Sequence, residues 1–320
     1  MYVDPDVRTL LDAADPDAPD FWELTPQEAR AAMEAMVPAM LPVVDLPKLR
    51  DLQIPTADGD VFARFYRAPG DGPAPLLVFF HGGGWEIGSV DVSDRSIRRL
   101  ARDSGVNIIS VDYRLAPEHP FPAGLDDCYA ATLWAAANAV DLGCDPSFLA
   151  VGGDSAGGNL AAAVAQMARD RGDVRIDHQL LVYPVVTPDF DSSSYQSFGV
   201  GHFLTKATME SFWRLYVGDG LAPLYADLLA VDSLAGLPEA TVITCGLDVL
   251  SAEGMLYARL LGEADVPVTS MHIGGLIHGI WTLDGSGSRA AKFGLDVAGV
   301  LRRAAFDARV LLLVDEEVAG

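Results

Sequence analysis

Short apolar runs and stretches of helical spacing take turns along the chain from Leu52 to its end. Val61 to Tyr66 alternates apolar with polar positions, as a half-buried strand does, and Leu76 to Phe80 is a fully apolar run of strand length. Ala68 to Pro75, between them, is rich in proline and glycine and reads as a turn. Helices are predicted over Asp91 to Ser104, Leu125 to Ala139, Ala156 to Arg169 and Ala252 to Leu261, with a last one from about Ala290. Strands are predicted over Val106 to Val111, Phe148 to Gly152, Gln179 to Tyr183, Thr241 to Cys245 and Val268 to Ile273. This alternation is that of an α/β protein with a doubly wound, mostly parallel sheet.

Two segments interrupt it. Residues 1–50 lack the strand–helix pattern, but Thr25-Pro26-Gln27-Glu28 combines a capping threonine, a proline at the first helical position and a glutamate three after the cap. A helix should run from Pro26 to about Met36. Met33, Met36, Met40 and Leu41 give this segment an adaptable apolar surface, suited equally to core packing and to the roof of a ligand site. The second interruption is polar and rich in proline, serine and glycine from Tyr183 to Gly201, with helical spacing at Met209, Phe212, Trp213 and Tyr216. The chain therefore divides into an N-terminal segment, 1–50, and an α/β domain, 51–320, with an insertion at about 188–220; both additions are placed to act as a cap over the sheet.

Composition narrows the setting. A net charge of -23 over 320 residues excludes nucleic acid and anionic membranes as partners. No window of 18 apolar residues occurs and the N-terminus is acidic, so the expectation is a soluble, cytoplasmic protein. Cys128, Cys144 and Cys245 are odd in number and set among apolar or small residues, which predicts buried free thiols rather than bridges or metal ligands. Lysine occurs only at Lys48, Lys206 and Lys292, and aspartate outnumbers glutamate; composition bias and adaptation to salt both account for this.

The candidate chemistry centres on Gly153-Asp154-Ser155-Ala156-Gly157, which fits G-x-S-x-G between a predicted strand and a small-residue helix. Glycine on either side of the serine removes side chains that would collide in so tight a turn. A dinucleotide-binding turn does not fit, because G-x-G-x-x-G is not met. His81-Gly82-Gly83-Gly84-Trp85 follows another buried strand and has the form of a loop that presents backbone N–H groups as an oxyanion hole. Here His81 reads as a loop organiser, while Trp85 serves either packing or substrate contact. Asp248 and His278 each follow a predicted strand, and serine, acid, histidine is the order this fold requires. His278 would take and return the serine proton and Asp248 would orient it.

With HGGGWEIGS at 81–89, DYRLAPEHPFPA at 112–123, GGDSAGGNLA at 152–161, LVYP at 181–184, GLDVLSAEGMLYARLL at 246–261 and GLIHGI at 275–280, the chain resembles the hormone-sensitive-lipase-like, or family IV, α/β-hydrolase esterases. The resemblance implies a mostly parallel sheet with helices on both faces and a helical cap. It also implies a triad of Ser155, Asp248 and His278, an oxyanion hole from the N–H groups of Gly83, Gly84 and Ala156, and neither metal nor organic cofactor. The implied reaction is hydrolysis of short- to medium-chain carboxylic esters through an acyl-enzyme. The expected partner is a small-molecule ester, with a homo-oligomer possible; Trp85, Met36 and Phe212 are the candidate substrate contacts. A lactonase, amidase or deacetylase is the alternative on the same scaffold, and a non-catalytic small-molecule binding protein is a further one. Relatives commonly carry D-P-L-R-D-E at the acid; here Val249, Ser251 and Ala252 replace the proline, arginine and aspartate, which removes charged support from Asp248.

Overall fold

Eight strands form one sheet in a computed structural model that describes residues 2–15, 17–37, 42–283 and 288–319. Met40 and Leu41, two of the apolar residues expected to form a cap, lie outside the described residues. The strands are β1 (Lys48–Thr56), β2 (Gly59–Arg67), β3 (Ala74–Phe80), β4 (Asn107–Val111), β5 (Cys144–Asp154), β6 (His178–Val182), β7 (Glu239–Leu247) and β8 (Val268–Ile277), in the order β1-β2-β4-β3-β5-β6-β7-β8. Pairing is antiparallel for β1 with β2 and for β2 with β4, and parallel from there to β8.

Burial explains why the central strands read as continuous apolar runs. Every residue of β4 and β6 is buried, because helices cover a parallel sheet on both sides. The helix α3 (Val90–Ser104) packs with α9 (Ser288–Ala319), while α4 (Ala123–Asn138) packs with α5 (Ala156–Arg171), and α8 (Ser251–Glu263) lies on β7 and β8. The predicted final helix thus takes in the closing apolar stretch as far as Ala319. Buried from Ala156 through Ala168, α5 shows no polar face, as expected of a helix enclosed on all sides. The three cysteines are buried and free. Among the described residues no helix is long and apolar enough to cross a membrane.

Helices outside this plan are α1 (Pro5–Ala13), α2 (Pro26–Met36), α6 (Ser193–Phe198) and α7 (Lys206–Val217). The capping box forms at α2 as predicted: the Thr25 side chain accepts from the Glu28 N–H and the Glu28 carboxylate accepts from the Thr25 N–H at 2.9 Å. The start of α1 has the same logic, with Asp4 accepting from the Asp6 N–H at 3.0 Å and Pro5 at the first position. The Asp4 N–H docks this end on the Gly275 carbonyl of β8 at 3.1 Å.

All four segments that carry the candidate chemistry leave the sheet at strand carboxyl ends: residues 81–88 after β3, Ser155 after β5, Asp248 after β7 and His278 after β8. The sharpest turn is the one between β5 and α5. A Cβ on Gly157 would stand 2.0 Å from the Phe80 carbonyl oxygen, and one on Gly153 would stand 2.2 Å from the Gly157 oxygen. Backbone has no room to yield there, so Gly157→Ala should lower stability by more than about 3 kcal/mol or prevent folding. Gly299, exposed in α9 with nothing near its missing Cβ, is the control: Gly299→Ala should raise stability by about 0.5–1 kcal/mol. Denaturant titration of both variants checks the pair.

Candidate active site

Ser155 sits at φ 56°, ψ −121°, between the last residue of β5 and the first of α5. Its backbone is pinned on both sides. The Ser155 N–H donates to the Val182 carbonyl at 2.9 Å, and the Ser155 carbonyl accepts from Asn159 and Val185, each at 3.1 Å. Directly after β8, His278 places Nε2 2.9 Å from Ser155 Oγ and Nδ1 2.8 Å from Asp248 Oδ2. The carboxylate can only accept, so Nδ1 carries the proton and Nε2 is left to accept from the serine hydroxyl. Asp248 is buried, and its second oxygen accepts the Leu250 N–H at 2.9 Å.

Neutral groups replace the charges missing from the acid loop. The Ser194 hydroxyl of α6 donates to the Val249 carbonyl and accepts the Ala252 N–H at 3.3 Å. The adjacent Glu253 accepts the Val186 N–H at 2.8 Å, and burial holds its carboxyl well above the usual carboxylate range. A protonated Glu253 adds no charge beside Asp248. Neither residue stood out in the sequence, Ser194 because it is one of three consecutive serines.

The loop after β3 has its peptide planes fixed one by one. The Gly82 N–H donates to Asp154 Oδ1 at 2.9 Å, and the Gly82 carbonyl lies 2.8 Å from His81 Nδ1, which must therefore donate. The Gly83 carbonyl accepts from Glu86 at 3.1 Å and from Ile87 at 2.9 Å. Because a trans peptide points its N–H opposite its carbonyl, these bonds direct the Gly83 and Gly84 N–H groups to the other side of the loop. Both residues have positive φ, 121° and 59°, as a glycine-only turn requires. The Ala156 N–H, first in α5, has no partner within its helix. His81 organises the loop as predicted: it is buried, stacked on Tyr113 at 4.4 Å, and pushed by burial toward the neutral form.

Above these groups lies a cavity of about 100 Å³. Its lining brings Ser155, His278, Gly83 and Gly84 together with Phe21, Met33 and Met36 from the N-terminal segment and Phe203, Leu204 and Phe212 from the insertion. Met36 and Phe212, two of the candidate substrate contacts, line it. Trp85 does not: only 1% exposed, it stacks on Tyr216 at 4.2 Å and packs edge-on against Trp213, outside the lining. Its planar ring is used to join the loop to α7 rather than to meet a ligand. Phe203, a lining residue the sequence reading missed, is 41% exposed at φ 76°. Among the described residues no group of three or more His, Cys, Asp or Glu side chains could hold a metal ion.

Asp154 also lines the cavity, and burial raises its carboxyl to about 6, against the opposing pull of the Gly82 N–H and of the nearby His278. The folded protein therefore holds this proton more tightly than the unfolded chain, where the ordinary value is 3.8. Ionisation of Asp154 destabilises the fold, an effect absent below about pH 4 and complete above about pH 6. Asp154→Asn keeps an oxygen for the Gly82 N–H and removes the charge. Its stability relative to the parent should rise across that window, by about 3 kcal/mol in all, and stay level above it. Melting curves at intervals from pH 4 to 8 measure the difference, and a difference independent of pH would contradict the assignment.

Comparison with known proteins gives a consistent answer. A family model described as alpha/beta hydrolase fold matches residues 77–282. The carboxylic ester hydrolase LipN of Mycobacterium tuberculosis is 41% identical over 283 residues, which are 86% of this chain and 75% of that protein. An arylesterase of Saccharolobus solfataricus is 35% identical over 283 residues, 87% of this chain and 92% of that one. Among solved structures, an ester hydrolase from the metagenome of Lake Arreo matches with a TM-score of 0.89 at 36% identity, covering 94% of this chain and 98% of its own. The esterase of Pyrobaculum calidifontis matches with 0.84 at 36% identity, covering 95% and 99%. Strand order, the groups at the strand ends and relatives matched along most of the chain converge, and the chain belongs to the α/β-hydrolase fold family, in its hormone-sensitive-lipase-like branch.

Proposed function

We propose that the chain is a serine carboxylesterase acting on short- to medium-chain carboxylic esters. The observation that carries this reading is the unbroken hydrogen-bonded line from Asp248 through His278 to Ser155, opening on an apolar cavity. Ser155 Oγ attacks the ester carbonyl carbon as its proton passes to His278 Nε2, and the carbonyl π electrons move onto oxygen. The N–H groups of Gly83, Gly84 and Ala156 receive that oxyanion, and the dipole of α5 points toward it. Collapse expels the alkoxide, which takes the proton from His278, leaving the acyl group on Ser155. Water, deprotonated by the same nitrogen, then releases the acid and restores the serine. Asp248 stabilises the imidazolium that forms twice in this cycle.

We assign to the N-terminal segment and the insertion at about 188–220 the role of a cap that sets substrate size. Each supplies three of the cavity's apolar side chains and neither supplies Ser155, Asp248 or His278. Closure over the strand ends excludes water and buries the acyl chain.

The test is covalent and kinetic together. An organophosphate should label Ser155 stoichiometrically and abolish turnover, and Asp248→Asn should lower kcat by roughly 10⁴ with the fold intact. Labelling at another serine, or a loss of less than about tenfold in the variant, would remove these residues from their roles. For the cap, kcat/KM should climb by up to about fourfold for each added acyl methylene until the cavity is filled, then fall. Met36→Ala and Phe212→Ala should move the optimum to longer chains. An optimum that stays in place while the melting temperature drops would make both residues simple packing.

A further inference from the structure

Arg30 leaves α2, the helix whose Met33 and Met36 roof the cavity, and grips the loop beneath. Its Nε donates to the Glu86 carbonyl and its Nη2 to the Ala116 carbonyl, both at 2.9 Å. The same guanidinium holds the Glu118 carboxylate in a two-pronged clamp, Nη1 to Oε1 at 2.8 Å and Nη2 to Oε2 at 2.6 Å. The hydrogen bonds from Arg30 draw the Glu118 carboxyl down to about 2, so the clamp stays ionised. A guanidinium is a rigid fork: with Glu118 fixing its plane, the remaining donors fix where two carbonyls stand.

The Glu86 carbonyl belongs to the turn that aims the loop's amides, and Ala116 is bonded to that turn. The Glu86 N–H closes the turn on the Gly83 carbonyl at 3.1 Å, and the Ala116 N–H donates to the Trp85 carbonyl at 2.9 Å. Residues 85–86 and residue 116 are thus tied once to each other and once, together, to the cap. From the other cap segment Phe212 presses on the same turn, standing 2.1 Å from where a Cβ of Gly84 would be. We infer that Arg30 is a positioning residue for the oxyanion site: from the cap it holds the 83–87 turn, and with it the Gly84 N–H, in register with Ser155. The inference rests on the oxyanion role given to that amide. Arg30 is not among the cavity's lining residues, so its action passes through the backbone it holds and not through substrate. Seating of α2 and stabilisation of the transition state are then one event.

The experiment measures kcat and KM on 4-nitrophenyl acetate, whose acyl group is too short to need the cap. Beside it runs the rate at which diethyl 4-nitrophenyl phosphate modifies Ser155, a reaction that also places negative oxygen at the loop. Arg30→Ala should lower kcat and the phosphorylation rate by about tenfold each while KM moves by less than about threefold. Arg30→Lys, with donors but no fork, should fall between, and added guanidinium should restore part of the loss in Arg30→Ala. Glu118→Gln keeps Arg30 and loosens its clamp; it should lower both rates by about threefold. Rates of Arg30→Ala within twofold of the parent, a change confined to KM, or a loss that guanidinium leaves untouched while the melting temperature collapses would each overturn the inference. Should the parent phosphorylate at Ser155 yet leave the acetate intact, the ester reading alone fails, and the phosphorylation rates still decide the role of Arg30.

Discussion

Ser155 is held in a backbone conformation that L-residues avoid, φ 56° and ψ −121°, at a strain of order 1–3 kcal/mol. Everything nearby serves to keep it there. Glycines 153 and 157 leave the space the turn needs, β6 and the segment after it supply hydrogen-bond partners on both sides, and α5 is enclosed so completely that its first turn cannot shift. The strain points Oγ out of the sheet toward the one nitrogen that can take its proton. Loops after β7 and β8 have only to bring Asp248 and His278 to a fixed point.

The parts closest to that point were legible in the sequence, because each needs a particular residue at a particular chain position. A serine between two spaced glycines, three glycines after a buried strand, and an acid and a histidine each just past a strand are local signals, and all meet at one sheet edge. The start of α2 was equally plain, since a capping box and a first-position proline fix it. Other boundaries were blurred where local pattern is weak. Only Leu52 and Ile54 of β1 are buried, so this edge strand from Lys48 shows little alternation. The strand β8 continues through Gly274 and Gly275, which hide its period, and it ends against His278 rather than five residues before it. The helix α1 was not predicted: Val7, Leu10 and Leu11 do share one face that packs on the core, but nine residues carry too short a stripe to stand out.

What no local reading could reach are the long-range ties. Arg30 is an ordinary polar position on a short helix until Glu86, Ala116 and Glu118 are seen around it. Trp85 is next to the glycines in sequence, which left packing and substrate contact both open; its ring faces Tyr216 and Trp213, 131 and 128 residues further on. In both cases the information lies in which elements pack together, and a single sequence does not carry it.

The substitutions in the acid loop change how the site meets its solution. An arginine there would hold the loop through charge, and dissolved ions weaken such attraction over distances of about 8 to 10 Å. Hydroxyl, backbone and neutral carboxyl groups around Val249, Ala252 and Val186 offer ions nothing to screen. The charged carboxylate that remains, Asp248 hydrogen-bonded to His278, is buried. Salt acting on this strongly acidic protein would therefore work on its surface, and the alignment of its reactive groups would be indifferent to brine.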